Sequence, residues 1–314
     1  MRIRSISIQR QFGGAWVLRL GYIGTKGTRL TSAAFNLNQT PSSYLYLGNT
    51  LNLSVYDPAV VALGFKPPYT GFSGTLAQAL RPFPQYNFVG TADVANGKVD
   101  SVNIGSSIYH SLQLQLDKQY ASGLYVLSSF VWSKLLTNAD SSFGGSNSSA
   151  PYGRDYYNRK LDYGLSPNDV DWRAVMAFTY VLPMGPGKHF AGNLHGAAAR
   201  ILEGWQLNGV LTYSAAVPIA ETVNDTLPIF NFLQLPNIVP GVNPRMHGCG
   251  GFYPSAGNLY LNIAAFSVPA PYTIGNGPTR LNVRGCPSRN ENLGLMKITR
   301  LTERVNLEFR AEFV

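Results

Sequence analysis

The chain has 314 residues, 45% hydrophobic and only 13% charged, about half the charged fraction of roughly 25% usual in soluble domains, so much of its surface need not face water. Its apolar residues fall in short alternating runs and never reach the stretch of about 18 that a membrane helix requires, which excludes a helical membrane protein. The net charge of +9 is spread along the chain; its densest group, Arg154, Arg159 and Lys160, is diluted by Asp155 and Asp162, so no nucleic-acid face is expected.

Met1 to Ser5 carry basic residues but neither an apolar core nor a small-residue cleavage site, and are not read as a secretory signal. Period-two alternation then marks four predicted hairpins. The first joins Ile6 and Ile8 to Trp16, Leu18, Leu20 and Tyr22 through a turn at Gln11 to Gly14. The second joins His110, Leu112, Leu114 and Leu116 through Ala121-Ser122-Gly123 to Leu124, Val126, Ser128, Phe130 and Trp132. The third pairs Trp172 to Leu182 with Trp205 to Tyr213, and the fourth pairs Asn292 to Ile298 with Val305 to Phe313.

Connection lengths alternate too. They are short before Trp16, long over 31–106, short at Ser122, long over 137–168, moderate after Pro183, long over 217–289 and short near Leu301. Compact soluble domains rarely carry such loops, whereas outer-membrane barrels combine short periplasmic turns with longer extracellular loops. The long segments, rich in Gly, Pro, Asn and Ser, read as solvated loops.

All four tryptophans sit on the apolar parity of their strands. Trp172 and Tyr180, like Trp205 and Tyr213, lie eight residues apart, roughly 20 Å along the membrane normal for a strand tilted near 40°. Trp16, Trp132, Trp172, Tyr180, Trp205 and Tyr213 are therefore assigned to aromatic girdles. The opposite parity, with Gln113, Gln115, Gln206, Asn208, Thr212 and Ser214, is assigned to a wet lumen. The expected fold is all-β, an antiparallel transmembrane β-barrel portion of about eight strands in the outer membrane. The alternative is a secreted β-sandwich adhesion or carbohydrate-binding module, in which the same Trp and Tyr residues would form a core.

Site candidates are few. Cys249 and Cys286 stand either as a disulfide or as two free thiols. Asp155, Asp162, Asp169 and Asp171 lack the spacing of a calcium loop, and Asp171 with Arg173 is expected to form an ion pair at the lumen rim. Tyr152, Arg154, Tyr156 and Tyr157 are candidates for stacking on a sugar or peptide. His110 has no Ser or Asp partner at a meaningful spacing; no enzyme activity, metal or cofactor is expected. Lipopolysaccharide contact in the outer loops is compatible with the charge.

The stretch Gly21-Tyr22-Ile23-Gly24-Thr25-Lys26-Gly27-Thr28-Arg29-Leu30, with Leu80-Arg81-Pro82-Phe83-Pro84-Gln85-Tyr86, Leu161-Asp162-Tyr163-Gly164, Gly204-Trp205-Gln206-Leu207-Asn208-Gly209 and Phe309-Arg310-Ala311-Glu312-Phe313, resembles the barrel of Oar-like TonB-dependent receptors, the carboxypeptidase-regulatory-domain-containing type of Acidobacteria. The resemblance runs over nearly the whole chain. It implies that residues 1–314 are a partial barrel of a larger protein, lacking the signal peptide, the plug and the carboxypeptidase-like domain, and open in isolation. It further implies uptake of an unidentified substrate, membrane lipid and lipopolysaccharide as surroundings, and a TonB system reached only through the plug.

Overall fold

The computed structural model describes residues 1–30, 37–86, 89, 103–139, 154–224, 227, 229, 234–249, 259–302 and 304–314. Its strands are β1 (Arg2–Phe12), β2 (Trp16–Leu30), β3 (Gly105–Ala121), β4 (Leu124–Thr137), β5 (Gly164–Leu165), β6 (Trp172–Val181), β7 (Trp205–Ser214), β8 (Asn237–Ile238), β9 (Phe266–Ser267), β10 (Ser288–Arg300) and β11 (Asn306–Phe313). One antiparallel sheet runs in the order β1-β2-β3-β4-β6-β7-β10-β11, with β5 added to the end of β4; β8 and β9 pair separately. The eight long strands are thus a simple meander. The sheet is not closed, and β1 and β11 are its edges.

The turns follow from local chemistry. Ser122 and Gly123 both take positive φ, 53° and 79°, between the paired Ala121 and Leu124, as a two-residue hairpin of the primed type requires. Gly13 and Gly14, at φ 56° and 72°, turn β1 into β2.

Register fixes which residues share a face, because directly paired residues point the same way. One row across the sheet reads Ile6, Tyr22, Leu112, Trp132 and Trp172. Another reads Phe12, Trp16, Lys118, Val126, Phe178, Gly209, Leu293 and Phe313. The predicted apolar parities of the separate hairpins therefore merge into one apolar face. The other face carries Gln9, Arg19, Gln115 and Ser129 in one row, and Thr179, Asn208, Gly294 and Glu312 in another.

The core lies elsewhere. Of the buried hydrophobic residues among those described, only Val17 belongs to a long strand, while Leu20, Tyr22, Leu112, Leu114, Phe130 and Trp132 on the apolar face are all between 38% and 61% exposed. One buried cluster joins Leu51, Val60, Leu76 and Ala77, formed by the 3-10 segment Ser42–Asn52 and the short helices α1 (Pro58–Ala62) and α2 (Leu76–Ala79). Asp57 caps α1, accepting the Ala59 N–H at 2.9 Å, and Thr75 caps α2, accepting the Gln78 N–H at 3.3 Å. A second cluster holds Tyr260, Leu281 and Val283. The long connections were expected to be solvated; instead they contain the buried core, since their scattered apolar residues find partners on other loops, such as Ile229 and Tyr272 against the first cluster.

Candidate functional site

A meander of this order places the connections β2–β3, β4–β6 and β7–β10 at one end of the sheet and the four shorter ones at the other. The molecule thus has three functional parts: an apolar face, a polar face and a cap of interlocked loops.

On the apolar face the six aromatic residues assigned from sequence fall into two sets. Trp132 pairs with Trp172, Tyr22 lies in their row, and Tyr213 sits two residues off it opposite Ala174, all towards the loop end. Trp16, Tyr180 and Trp205 lie towards the turn end. Two lysines that sequence reading missed accompany this second set. Lys118 Nζ lies 6.0 Å from the Trp16 ring centroid and donates to the Ala121 and Leu124 carbonyls at 2.6 and 3.1 Å. Lys297 Nζ lies 5.2 Å from the Trp205 ring and donates to the Arg200 and Glu203 carbonyls at 2.8 and 2.6 Å. Both stems run along apolar surface while the ammonium reaches turn carbonyls, the behaviour of lysines at a membrane boundary. Each lies on the same parity as a tryptophan, which is the signal that could have found them.

On the polar face Arg19 donates to Gln9 Oε1 at 2.9 Å and to Asp117 Oδ2 at 3.0 Å, and Gln115 donates to the same carboxylate oxygen at 2.8 Å. His110 points to the apolar side, its Nδ1 hydrogen-bonded to the Tyr22 hydroxyl at 2.6 Å. No group of three His, Cys, Asp or Glu suited to a metal occurs among the described residues.

The cap is held by long-range polar pairs. Arg154, expected as a ligand contact, is only 3% exposed. Its Nε donates to Asp162 Oδ1 at 3.1 Å and its Nη1 to the Gly275 and Gly277 carbonyls at 3.2 and 2.7 Å. A buried guanidinium needs such partners because its desolvation is otherwise uncompensated, and at this burial Arg154 serves the cap as a cross-link between loops. Burial pushes the Asp162 carboxyl up while Arg154 pulls it down, the first effect being larger. Tyr156 is half-buried and Tyr157 46% exposed, their rings edge to face at 5.5 Å. Burial, reinforced by Tyr156 and Asp155, raises the Tyr157 hydroxyl. Tyr152 lies outside the described residues.

Asp171 does not pair with Arg173. Arg284 reaches both Asp171, at 3.1 Å, and the 1% exposed carboxylate of Asp169, and a bridging cation from another loop outcompetes an exposed neighbour on the same strand. Cys249 and Cys286 are thiols in this structure and lie together, the Cys286 Sγ 3.7 Å from the Cys249 carbonyl oxygen.

A family profile described as "Outer membrane beta barrel domain" matches residues 3–314. A comparison with curated proteins found no match. Among solved structures, the outer membrane transporter YddB from Escherichia coli is similar at 10% identity and a TM-score of 0.33, over 99% of this chain and 27% of that one. The ferric-catecholate import receptor Fiu from E. coli K12, in a closed form, is similar at 12% identity and a TM-score of 0.25, over 99% of this chain and 42% of that one. The chain therefore spans less than half the length of either.

Proposed function

Since the chain belongs to the outer membrane β-barrel domain family, we propose that it forms part of the wall and the extracellular cap of a TonB-dependent transporter. The observation that carries this reading is the inverted burial. Eight strands share one continuous apolar face on which Leu20, Tyr22, Leu112, Leu114, Phe130 and Trp132 stay exposed, whereas nearly all the buried hydrophobic residues among those described sit outside the long strands. In water that face would drive aggregation; against acyl chains it is matched. The chain lies in the outer membrane, and the apolar face is the lipid-facing one.

The open edges argue for a larger barrel. Each unpaired backbone group in lipid costs several kcal/mol, and β1 and β11 would expose a whole row of them. Further strands therefore complete the ring, and its lumen is lined by the face that carries Arg19, Gln113, Gln115 and Asn208. The chemistry of that lumen is hydrogen bonding and charge, and the chain makes and breaks no bonds. A plug in the lumen, released by energy delivered through TonB, is the partner this reading requires; membrane lipid and lipopolysaccharide surround the wall.

Photo-crosslinking at two neighbouring positions tests it. A photoreactive residue at Leu114 should capture lipid, and one at Gln113 should capture a protein segment whose yield changes when the proton gradient is collapsed. Protein adducts at Leu114, or a Gln113 yield indifferent to the gradient, would sink the transporter reading.

A further inference from the structure

Reading the register upward along the apolar face towards the loops, the chemistry changes in two steps. The row of Ile6, Tyr22, Leu112, Trp132 and Trp172 is aromatic. Two residues on, about 7 Å along the strands, the next row reads Arg4, Gly24, His110 and Lys134. Two residues beyond that it reads Arg2, Lys26, Ile108 and Leu136. Arg2, Arg4, Lys26 and Lys134 are exposed, and none of them forms an ion pair among the described residues. The sequences of β1 to β4 contain a single carboxylate, Asp117, which lies on the other face and is taken by Arg19. Four cations without an ion-pair partner among the described residues therefore stand in the two rows above Tyr22, Trp132 and Trp172. Linear reading missed them because they lie on three different strands and only pairing brings them together.

The same place has a floor. Tyr22, His110, Leu112, Trp132 and, of the four cations, Lys134 line one cavity of about 520 Å³; its far wall carries Leu165, Asn282 and the Asp171 carboxylate, which Arg284 already neutralises. Apolar and aromatic groups in one row and cationic side chains in the rows beyond it suit an amphiphile with an anionic head. Unpaired cations are costly next to hydrocarbon unless a headgroup anion meets them, and basic clusters at a membrane boundary recognise anionic lipid heads.

We propose that Arg2, Arg4, Lys26 and Lys134, above the Tyr22–Trp132–Trp172 row, form a binding site for the phosphates of the phosphorylated glycolipid of the outer leaflet. The proposal rests on the lipid-facing orientation of the apolar face argued above. The site orders the lipid around the wall at the level where the loop cap begins, and sets the depth of the sheet in the membrane.

The test uses the full chain reconstituted in phosphatidylcholine vesicles and titrated with lipid A, with and without its phosphates. The phosphorylated form should bind at least tenfold tighter, with an affinity that falls as salt rises. Each screened contact is worth roughly fivefold, so the triple variant Arg4→Gln, Lys26→Gln, Lys134→Gln should lose on the order of 100-fold. Lys26→Arg with Lys134→Arg should retain binding. A control that removes the same charge elsewhere, Lys66→Gln, Lys160→Gln and Arg173→Gln, should bind like the parent. Unchanged binding by the first triple variant, or equal loss in the control, overturns the site. Brominated acyl chains separate the two layers of argument, because all four tryptophans lie on the apolar face. Absence of quenching refutes the orientation and the site together, whereas quenching with phosphate-independent binding refutes the site alone.

Discussion

The side-chain amide of Gln39 donates to Asp155 Oδ1 at 2.7 Å, and its carbonyl oxygen accepts the Tyr156 backbone N–H at 3.0 Å. This one buried side chain locks the connection after β2 to the connection after β4. It belongs to a run of three consecutive buried polar residues: Asn38 donates to the Phe83 and Tyr86 carbonyls at 2.9 and 2.7 Å, and Thr40 to the Ala77 carbonyl at 2.8 Å.

Gln39→Ala should therefore loosen the cap without touching the sheet. It removes two buried hydrogen bonds, one of them to a carboxylate, for a loss of about 2–4 kcal/mol. Hydrogen exchange should show amides over 37–86 losing protection while those of β3 and β4 keep theirs. Equal loss in both would mean that cap and sheet unfold as one unit.

Arg154→Ala should be more severe, at about 3–5 kcal/mol, because it takes the charged partner from the Asp162 carboxylate and the donor from two buried carbonyls. Gly275 adds a steric constraint to the same junction, since a Cβ there would lie 1.8 Å from the Leu235 carbonyl oxygen. Gly275→Ala should reproduce the cap defect of Arg154→Ala, measured as faster proteolysis of the loops in detergent. Tyr157→Ala, at an exposed ring, should leave proteolysis close to that of the parent and is the variant with which to seek ligand effects.

These pairs explain what the sequence could and could not reveal. Alternation located all eight long strands because a strand between lipid and a wet lumen must switch polarity at every residue. It also understated them. β2 was legible to Tyr22 but runs to Leu30, β4 was legible to Trp132 but runs to Thr137, and β10 spans Ser288–Arg300 against an expected Asn292 to Ile298. Above the aromatic row both faces turn polar, as at Thr25 and Lys26, so the ladder continues where the pattern stops. The cap was illegible for a different reason. Gln39 meets Asp155 across 116 residues and Arg154 meets Gly277 across 123, and contacts at such separations leave no period in the chain. Asp171 paired in sequence reading with Arg173 for the same reason: Arg284 is 113 residues away in sequence but adjacent in space.

Cys249 and Cys286 should be oxidised to a disulfide in the protein recovered from an oxidising compartment. The two residues already touch, so the bond forms between neighbours in space. Closing a loop of this length removes unfolded-chain entropy worth about 4 kcal/mol in the chain-entropy account. Intact mass before and after reduction reads the state, and a reductant should lower the denaturant midpoint of the cap. Full alkylation of both thiols without reduction would show that the pair stays reduced.

Both carboxylate oxygens of Glu221 are buried without a hydrogen-bond partner, and burial, against a smaller opposing pull from Arg280, raises this group to about 7 from an ordinary value of 4.5. A carboxyl whose folded value is raised binds its proton more tightly in the folded state. Its contribution to stability is therefore full below pH 4.5 and is lost as pH rises from there through about 7. With solvent screening the loss is on the order of 1–2 kcal/mol. Glu221→Gln keeps the shape and removes the titration, so the cap of this variant should be insensitive to pH over that window and more stable than the parent at pH 8. A parent and variant that lose stability in parallel between pH 5 and pH 8 would place the titration on another group and show the Glu221 carboxylate to be ionised in the folded cap.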